Sequence, residues 1–187
     1  MAVRINVGVA SLFYLALLGA ALGWGALRGD VNVFVLPPDA TLGEAPPFLL
    51  RLGIGVGLGL VSVLTARAVS RLPWARRLNS EMGRIFGPLQ LWQVAVLAVA
   101  SAVGEEAFFR GAMQPALGYV LTSVIFGLLH VGPGKEFWPW TLSALVAGFL
   151  LGAATLYTGD ILAATLAHFT VNYFNLWQLT SGSFDER

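Results

Sequence analysis

The sequence contains no cysteine, and it carries little charge for its length. The missing cysteines exclude disulfide bonds, thiolate nucleophiles and cysteine-ligated metal sites. Asp, Glu, Lys and Arg make up 11% of the 187 residues, whereas soluble domains carry roughly 25%. Hydrophobic residues make up 57% of the chain, and a soluble fold of this size cannot bury so much apolar surface. The composition therefore predicts an integral membrane protein that is solvated by the lipid bilayer.

Six apolar segments are candidates for transmembrane helices, since a spanning helix needs about 20 predominantly apolar residues. The first is too long for the h-region of a signal peptide, which has about 7–15 residues, so it is expected to remain as a helix. A polar loop with four prolines and three acidic residues follows it, over residues 29–47. We predict an all-α polytopic membrane protein of a single domain, residues 1–187, with about six transmembrane helices at 5–27, 47–69, 89–114, 116–131, 137–157 and 160–179.

The connector between the second and third segments is rich in arginine. Apolar residues recur at helical spacing from Leu78 to Leu89, which predicts a short interfacial amphipathic helix capped by Asn79 or Ser80. An ordinary basic connector is the alternative. Basic connectors tend to stay in the cytoplasm, so six spans would leave both termini there. The net charge of +1 gives no reason to expect a nucleic acid partner.

Three ionisable residues lie inside the third apolar segment, where charge is costly and therefore points to function. Glu106 and Arg110 are four residues apart, so in a helix they share a face and can form an ion pair. Glu105 points about 100° away from Glu106. The arginine can therefore hold one carboxylate ionised and leave the other free to accept a proton.

Both histidines of the sequence lie in apolar segments as well. His130 ends the fourth segment, and His168 shares a helical face with Asn172 in the sixth. If the chain turns near Pro115 and again just before the sixth segment, the depths of Glu105, His130 and His168 below that side are roughly 15, 20 and 12 Å. Three helices would then bring these side chains to one polar cavity inside the membrane.

Such a cavity would have the parts that peptide hydrolysis needs. Glu105 and His130 would polarise a water molecule, because a carboxylate and an imidazole can both accept its protons. His168 and Asn172 would donate hydrogen bonds to the oxyanion of the tetrahedral intermediate. The carboxylate and guanidinium paired on the third segment would orient these groups. The sequence thus predicts an intramembrane endopeptidase.

Three short motifs resemble those of a known family. The residues EEAFFR at 105–110 match E-E-x-x-x-R, FGLLH at 126–130 matches F-x-x-x-H, and HFTVN at 168–172 matches H-x-x-x-N. In this order and spacing they resemble the CPBP family, which groups type II CAAX prenyl endopeptidases with bacteriocin-processing and immunity proteins. The resemblance covers about residues 80–179, the expected catalytic core, and does not extend to the two N-terminal spans within residues 5–69.

The resemblance implies a role for each residue of these motifs. Glu105 and His130 would act on water, and the choice of Glu105 over Glu106 as the base rests mainly on the resemblance. His168 and Asn172 would form the oxyanion site. The substrate would be a membrane-anchored protein or peptide, with a C-terminal anchor or a CAAX-like tail. The resemblance to bacterial members implies the bacterial inner (plasma) membrane as the location.

A metal-dependent mechanism is the first alternative that the residues leave open. No metal or other cofactor is favoured, because Asn172 is a poor zinc ligand and Arg110 is expected to occupy one of the two glutamates. If zinc is bound, Glu105, His130 and His168 would be its ligands. The remaining alternatives are a bis-histidine haem protein and a proton-coupled membrane transport protein. Small residues that recur every four positions serve packing within or between chains, so the oligomeric state stays open.

Overall fold

The computed structural model describes residues 5–30 and 32–181, and their regular structure is helical. The long helices lie where the apolar segments predict them, which confirms the all-α fold. Val35 and Asp160 form an isolated antiparallel bridge. The helices are α1 (Val7–Arg28), α2 (Phe48–Val69), α3 (Pro73–Phe86), α4 (Leu91–Glu106), α5 (Gln114–Leu117), α6 (Tyr119–Leu129), α7 (Trp138–Thr158) and α8 (Leu162–Thr180), with a π-helical segment at Ala107–Met113 and 3₁₀ turns at Pro38–Ala40 and Lys135–Phe137.

Local sequence signals set several helix ends. The Asn6 side chain caps α1 by accepting a hydrogen bond from Val9 N at 3.1 Å. Four glycines with positive φ, at +80°, +63°, +85° and +75°, end helices or join them where a side chain would be strained. They are Gly29 after α1, Gly87 after α3, Gly118 between α5 and α6, and Gly159 after α7.

Four helical stretches within the described residues are long and apolar enough to cross a membrane. Of the two remaining segments predicted to span, α6 has only 11 residues, which is about 16 Å of helix. Helix α8 has 19 residues but carries the polar side chains of the sixth segment. The four stretches are Val7–Arg28, Phe48–Val69, Leu91–Leu117 and Lys135–Thr158.

Two predicted details of the helix ends are wrong. Helix α3 begins at Pro73, so Asn79 and Ser80 lie inside it. Proline is favoured in the first helical turn because its missing N–H has no partner to lose there. The turn expected near Pro115 lies at Gly118 instead, because Pro115 is accommodated in the first turn of α5, directly after the π-helical segment.

The third span is the centre of the molecule. Half of its most apolar stretch is buried, compared with 6% for α1 and 17% for α2. It packs against α1 on one side and α8 on the other. Glycines allow close approach elsewhere: a Cβ atom on Gly55 would lie 2.6 Å from Ala163 O of α8, and one on Gly59 would lie 3.0 Å from Ala167 O. The small residues of α2 thus hold α8 beside the central span.

Arginine-rich α3 marks one end of the bundle, and both ends of the described chain lie there. Ile5 N donates a hydrogen bond to Ile85 O at 3.0 Å, and Leu179 O of α8 lies beside Gly83. At the opposite end, the loop after α1 is fixed to the turn between α7 and α8, where Leu36 N donates to Gly159 O at 2.9 Å. The helices therefore run alternately between two chemically different ends.

Candidate active site

The central span carries the acidic pair at the point where its helical geometry changes. Glu105 and Glu106 are the last residues of α4, and the π-helical segment begins at Ala107. Both carboxylates are buried, with 8% and 0% exposure. A π-helical turn widens the helix and is frequent at functional sites. The regular α-helix assumed from the sequence is therefore wrong beyond Glu106, although the acidic pair itself lies before the change.

Glu106 is the centre of a buried ionic cluster. Its Oε1 accepts hydrogen bonds from Arg110 Nη1 at 3.1 Å and from His168 Nδ1 at 2.7 Å. Arg110 is 1% exposed, and its guanidinium also donates to Gly148 O of α7 at 3.3 Å. The Phe126 ring lies 4.2 Å below the guanidinium carbon. The pairing that the four-residue spacing predicts is present, and it extends to a histidine on α8.

Glu105 faces the other histidine. Its Oε2 lies 3.7 Å from Nε2 of His130, which is too long for a direct hydrogen bond. His130 is the first residue after α6, and its Nδ1 donates to Phe126 O at 2.7 Å. Thr141 of α7 fixes this position by donating to His130 O at 2.6 Å. The C-terminal end of the short α6 therefore places the His130 imidazole next to Glu105.

Asn172 has a partner that the sequence did not reveal. Its Nδ2 donates to Ser101 Oγ at 2.8 Å, and Ser101 lies one helical turn before Glu105 on α4. His168 and Asn172 occupy one face of α8, as their spacing predicts. The structure thus places both side chains against α4, next to the two glutamates.

Aromatic rings cover the cluster. The centroid of Phe126, which is 2% exposed, lies 4.5 Å from that of His130 and 6.1 Å from that of His168. Trp140 contacts His130 from the other side, with ring centroids 5.3 Å apart. Tyr14 of α1 is close enough to Glu105 for an electrostatic interaction. Trp140 and Tyr14 were not identified from the sequence, which gives no signal for either.

The glutamates and histidines of the site form two pairs, Glu105 with His130 and Glu106 with His168. Within residues 5–30 and 32–181, no three His, Cys, Asp or Glu side chains are arranged to hold one. Of the alternative ligand set, Glu105 lies beside Nε2 of His130, whereas His168 bonds to Glu106 through Nδ1 and keeps Nε2 free. A haem between the two histidines is also disfavoured, since both rings pack on the buried Phe126 and a porphyrin would displace it.

Comparison with known proteins supports the motif resemblance. Residues 87–174 match the model of a family described as Type II CAAX prenyl endopeptidase Rce1-like, and the acidic pair and both histidines lie within this stretch. The chain is also 28% identical over 123 residues to "Uncharacterized protein YpbD" of Bacillus subtilis (strain 168), in a match that covers 63% of each chain. No solved structure matches it. The resemblance is thus confirmed: this region is similar to an endopeptidase family.

Proposed function

We propose that the chain is an intramembrane endopeptidase in which Glu105 and His130 activate a water molecule. The observation that carries this proposal is the distance of 3.7 Å between Glu105 Oε2 and His130 Nε2. Phe126 O can only accept, so the hydrogen of the neutral imidazole is on Nδ1 and Nε2 has a free lone pair. Two acceptors at this separation can share one water molecule, which donates one hydrogen to each. The lone pairs of that water then remain available to attack a carbonyl carbon.

The reaction follows from these positions. The water oxygen bonds to the carbonyl carbon of the substrate, its proton passes to Glu105, and the carbonyl oxygen becomes an oxyanion. Glu105 then returns the proton to the leaving amine as the C–N bond breaks. The products are a carboxylic acid and an amine, so one water molecule is consumed and no redox partner is required. His130 holds the water in line for its attack in the first step.

His168 and Asn172 are proposed to stabilise the oxyanion. Nδ1 of His168 donates to Glu106, which fixes the ring so that Nε2, when it is protonated, can donate to the oxyanion. Asn172 uses one amide hydrogen for Ser101 and has a second to donate. Arg110 donates to the same carboxylate oxygen of Glu106, so the Glu106–Arg110 pair acts through His168. Donors fixed before the reaction stabilise the developing charge most effectively.

Ser101→Ala tests whether Ser101 orients Asn172. Loss of one hydrogen bond of about 0.5–1.5 kcal/mol should lower kcat by up to about tenfold, with little change in KM. The measurement is cleavage of a membrane-anchored reporter peptide in detergent micelles. Ser62→Ala is the matched control, because Ser62 lies on α2, away from the site, and donates to Leu58 O of its own helix. An unchanged kcat in Ser101→Ala would remove the orienting role.

We propose a metal-free, glutamic-type mechanism, because Glu105 and His130 lie close enough to share a water molecule. We expect reporter cleavage to persist in strong chelator, with protein shown by elemental analysis to carry no stoichiometric metal. Glu105 and His130 alone can bind and deprotonate the water, so a chelator has no essential metal ion to remove. Loss of activity in chelator followed by recovery with zinc would favour the metal-dependent alternative.

The substrate is proposed to be a membrane-associated protein or peptide cut near a C-terminal anchor or CAAX-like tail. We further propose that the arginine-rich end faces the cytoplasm of a bacterium, because the basic side chains gather there. Membrane proteomes of cells producing the wild type and the Glu105→Ala variant should differ in at least one C-terminal fragment. Identical proteomes from cells with equal amounts of both proteins, grown under several conditions, would argue against an endopeptidase.

A further inference from the structure

A groove of about 420 Å³ lies between α3 and the segment that joins α6 to α7. It is separate from the candidate active site and shares no residue with it. One wall is formed by the first turns of α3 and the other by the 3₁₀ turn and the start of α7. The lining residues are Pro73, Trp74, Arg77, Lys135, Glu136 and Pro139.

The charge of the groove is not balanced within the described chain. Arg77 and Lys135 face it from opposite walls, and among residues 5–30 and 32–181 neither lies within ion-pair distance of a carboxylate. Glu136 is the single acidic residue of the lining. By contrast, Arg84 of the same helix is paired with Glu81 at 2.6 Å. The groove therefore holds two positive charges, from Arg77 and Lys135, and the single negative charge of Glu136 can balance only one of them.

The surroundings of the groove indicate the depth of a lipid headgroup. Helix α3 is amphipathic, and it follows the end of spanning helix α2 after only three residues. Trp74 is 43% exposed at the groove, and Trp138 at the start of α7 is 60% exposed beside it. Tryptophan is enriched where hydrocarbon meets headgroups. A soluble anion would need no such apolar border, whereas a phospholipid presents its phosphate and its acyl chains together.

We propose that this groove binds the phosphate of an anionic phospholipid, held between Arg77 and Lys135. Its acyl chains lie along the exposed Trp74 and Trp138. Lys135 is five residues after His130, so the bound lipid rests on the segment that leads away from the candidate active site. The proposal concerns lipid binding alone and is independent of any proteolytic activity.

Native mass spectrometry of the full-length protein in mild detergent tests the site. With dioleoyl phosphatidylglycerol we expect one retained lipid per chain, and at least about fivefold weaker retention of zwitterionic dioleoyl phosphatidylcholine. Arg77→Gln and Lys135→Gln should each weaken phosphatidylglycerol retention by about fivefold, the effect of one basic residue near an anionic headgroup. Glu136→Gln should strengthen it, because the acid that opposes the phosphate is removed.

The matched control is Arg71→Gln combined with Arg76→Gln. These residues are exposed on the same part of the chain but do not line the groove, and the charge change equals that of Arg77→Gln combined with Lys135→Gln. Equal weakening by both double variants would show attraction by surface charge alone and overturn the site. So would equal retention of the two lipids, or displacement of phosphatidylglycerol by a peptide with a free C-terminal carboxylate at equal concentration. Unfolding temperatures identify any variant that is misfolded. The stronger phosphatidylglycerol retention expected for Glu136→Gln provides a test that does not depend on the variants expected to lose retention.

Discussion

Glu105→Gln is expected to lower kcat/KM for a membrane-anchored peptide by about 10²–10⁴-fold, the usual contribution of general acid–base catalysis. Glutamine keeps the size of the side chain but cannot accept the proton of the attacking water. His130→Ala should produce a loss of similar size, because the second acceptor of that water disappears. Single-turnover assays with enzyme in excess separate this loss of chemistry from weaker binding.

The two substitutions should not be additive, since both residues act on the same water molecule. The double variant is therefore expected to be about as slow as the slower single variant. Glu81→Gln is the matched control. It makes the same chemical change at an exposed position of α3, where Glu81 pairs with Arg84. Full activity of Glu105→Gln, in protein that unfolds at the wild-type temperature, would refute the mechanism.

Glu106→Ala is expected to cost about 3–5 kcal/mol of folding free energy, as is typical when one partner of a buried ion pair is removed. Arg110 is 1% exposed, so its charge would remain inside the protein without a carboxylate. His168 would lose its partner in the same step. Unfolding followed in detergent, by heat or by added denaturing detergent, measures the loss.

Arg110→Met should be the milder change of the two. The carboxylate of Glu106 would keep its hydrogen bond from His168, and methionine has a suitable volume and no charge to bury. The control is Glu81→Ala, which breaks an exposed Glu–Arg pair and should change stability by less than about 1 kcal/mol. Equal losses in Glu106→Ala and Glu81→Ala would show that the buried cluster does not stabilise the fold.

The main helices could be predicted because lipid as a solvent imposes long apolar segments, and these are visible in the sequence. The shortness of α6 could not, because apolar Leu117 and Val131 lie just outside its two ends. The π-helical segment at Ala107–Met113 was also missed. A π-helix has a wider turn than an α-helix. Where it forms depends on how the central span packs against neighbouring helices, and no local pattern of residues predicts this packing.

The acidic pair and the two histidines could be identified because ionisable side chains are rare in apolar segments. The choice of Glu105 over Glu106 as the partner of His130 rested mainly on the resemblance, since the helical pattern does not fix the rotation of α4 and α8 about their axes. The structure pairs Glu106 with His168 and Glu105 with His130. Ser101 was missed for another reason: a single serine in a helix usually bonds to its own backbone, so it gives no sign of a partner on α8.

The short α6 has a consequence for the surrounding bilayer. Its 11 residues reach about 16 Å into a hydrocarbon layer that is about 30 Å thick. Leu128, Leu129 and Val131, where the helix ends, are 60–65% exposed, and we expect them to contact acyl chains. Lipids relieve such a mismatch by thinning locally. We expect a dimple in the membrane beside His130, so that a substrate strand and water reach the glutamates after crossing only part of one leaflet.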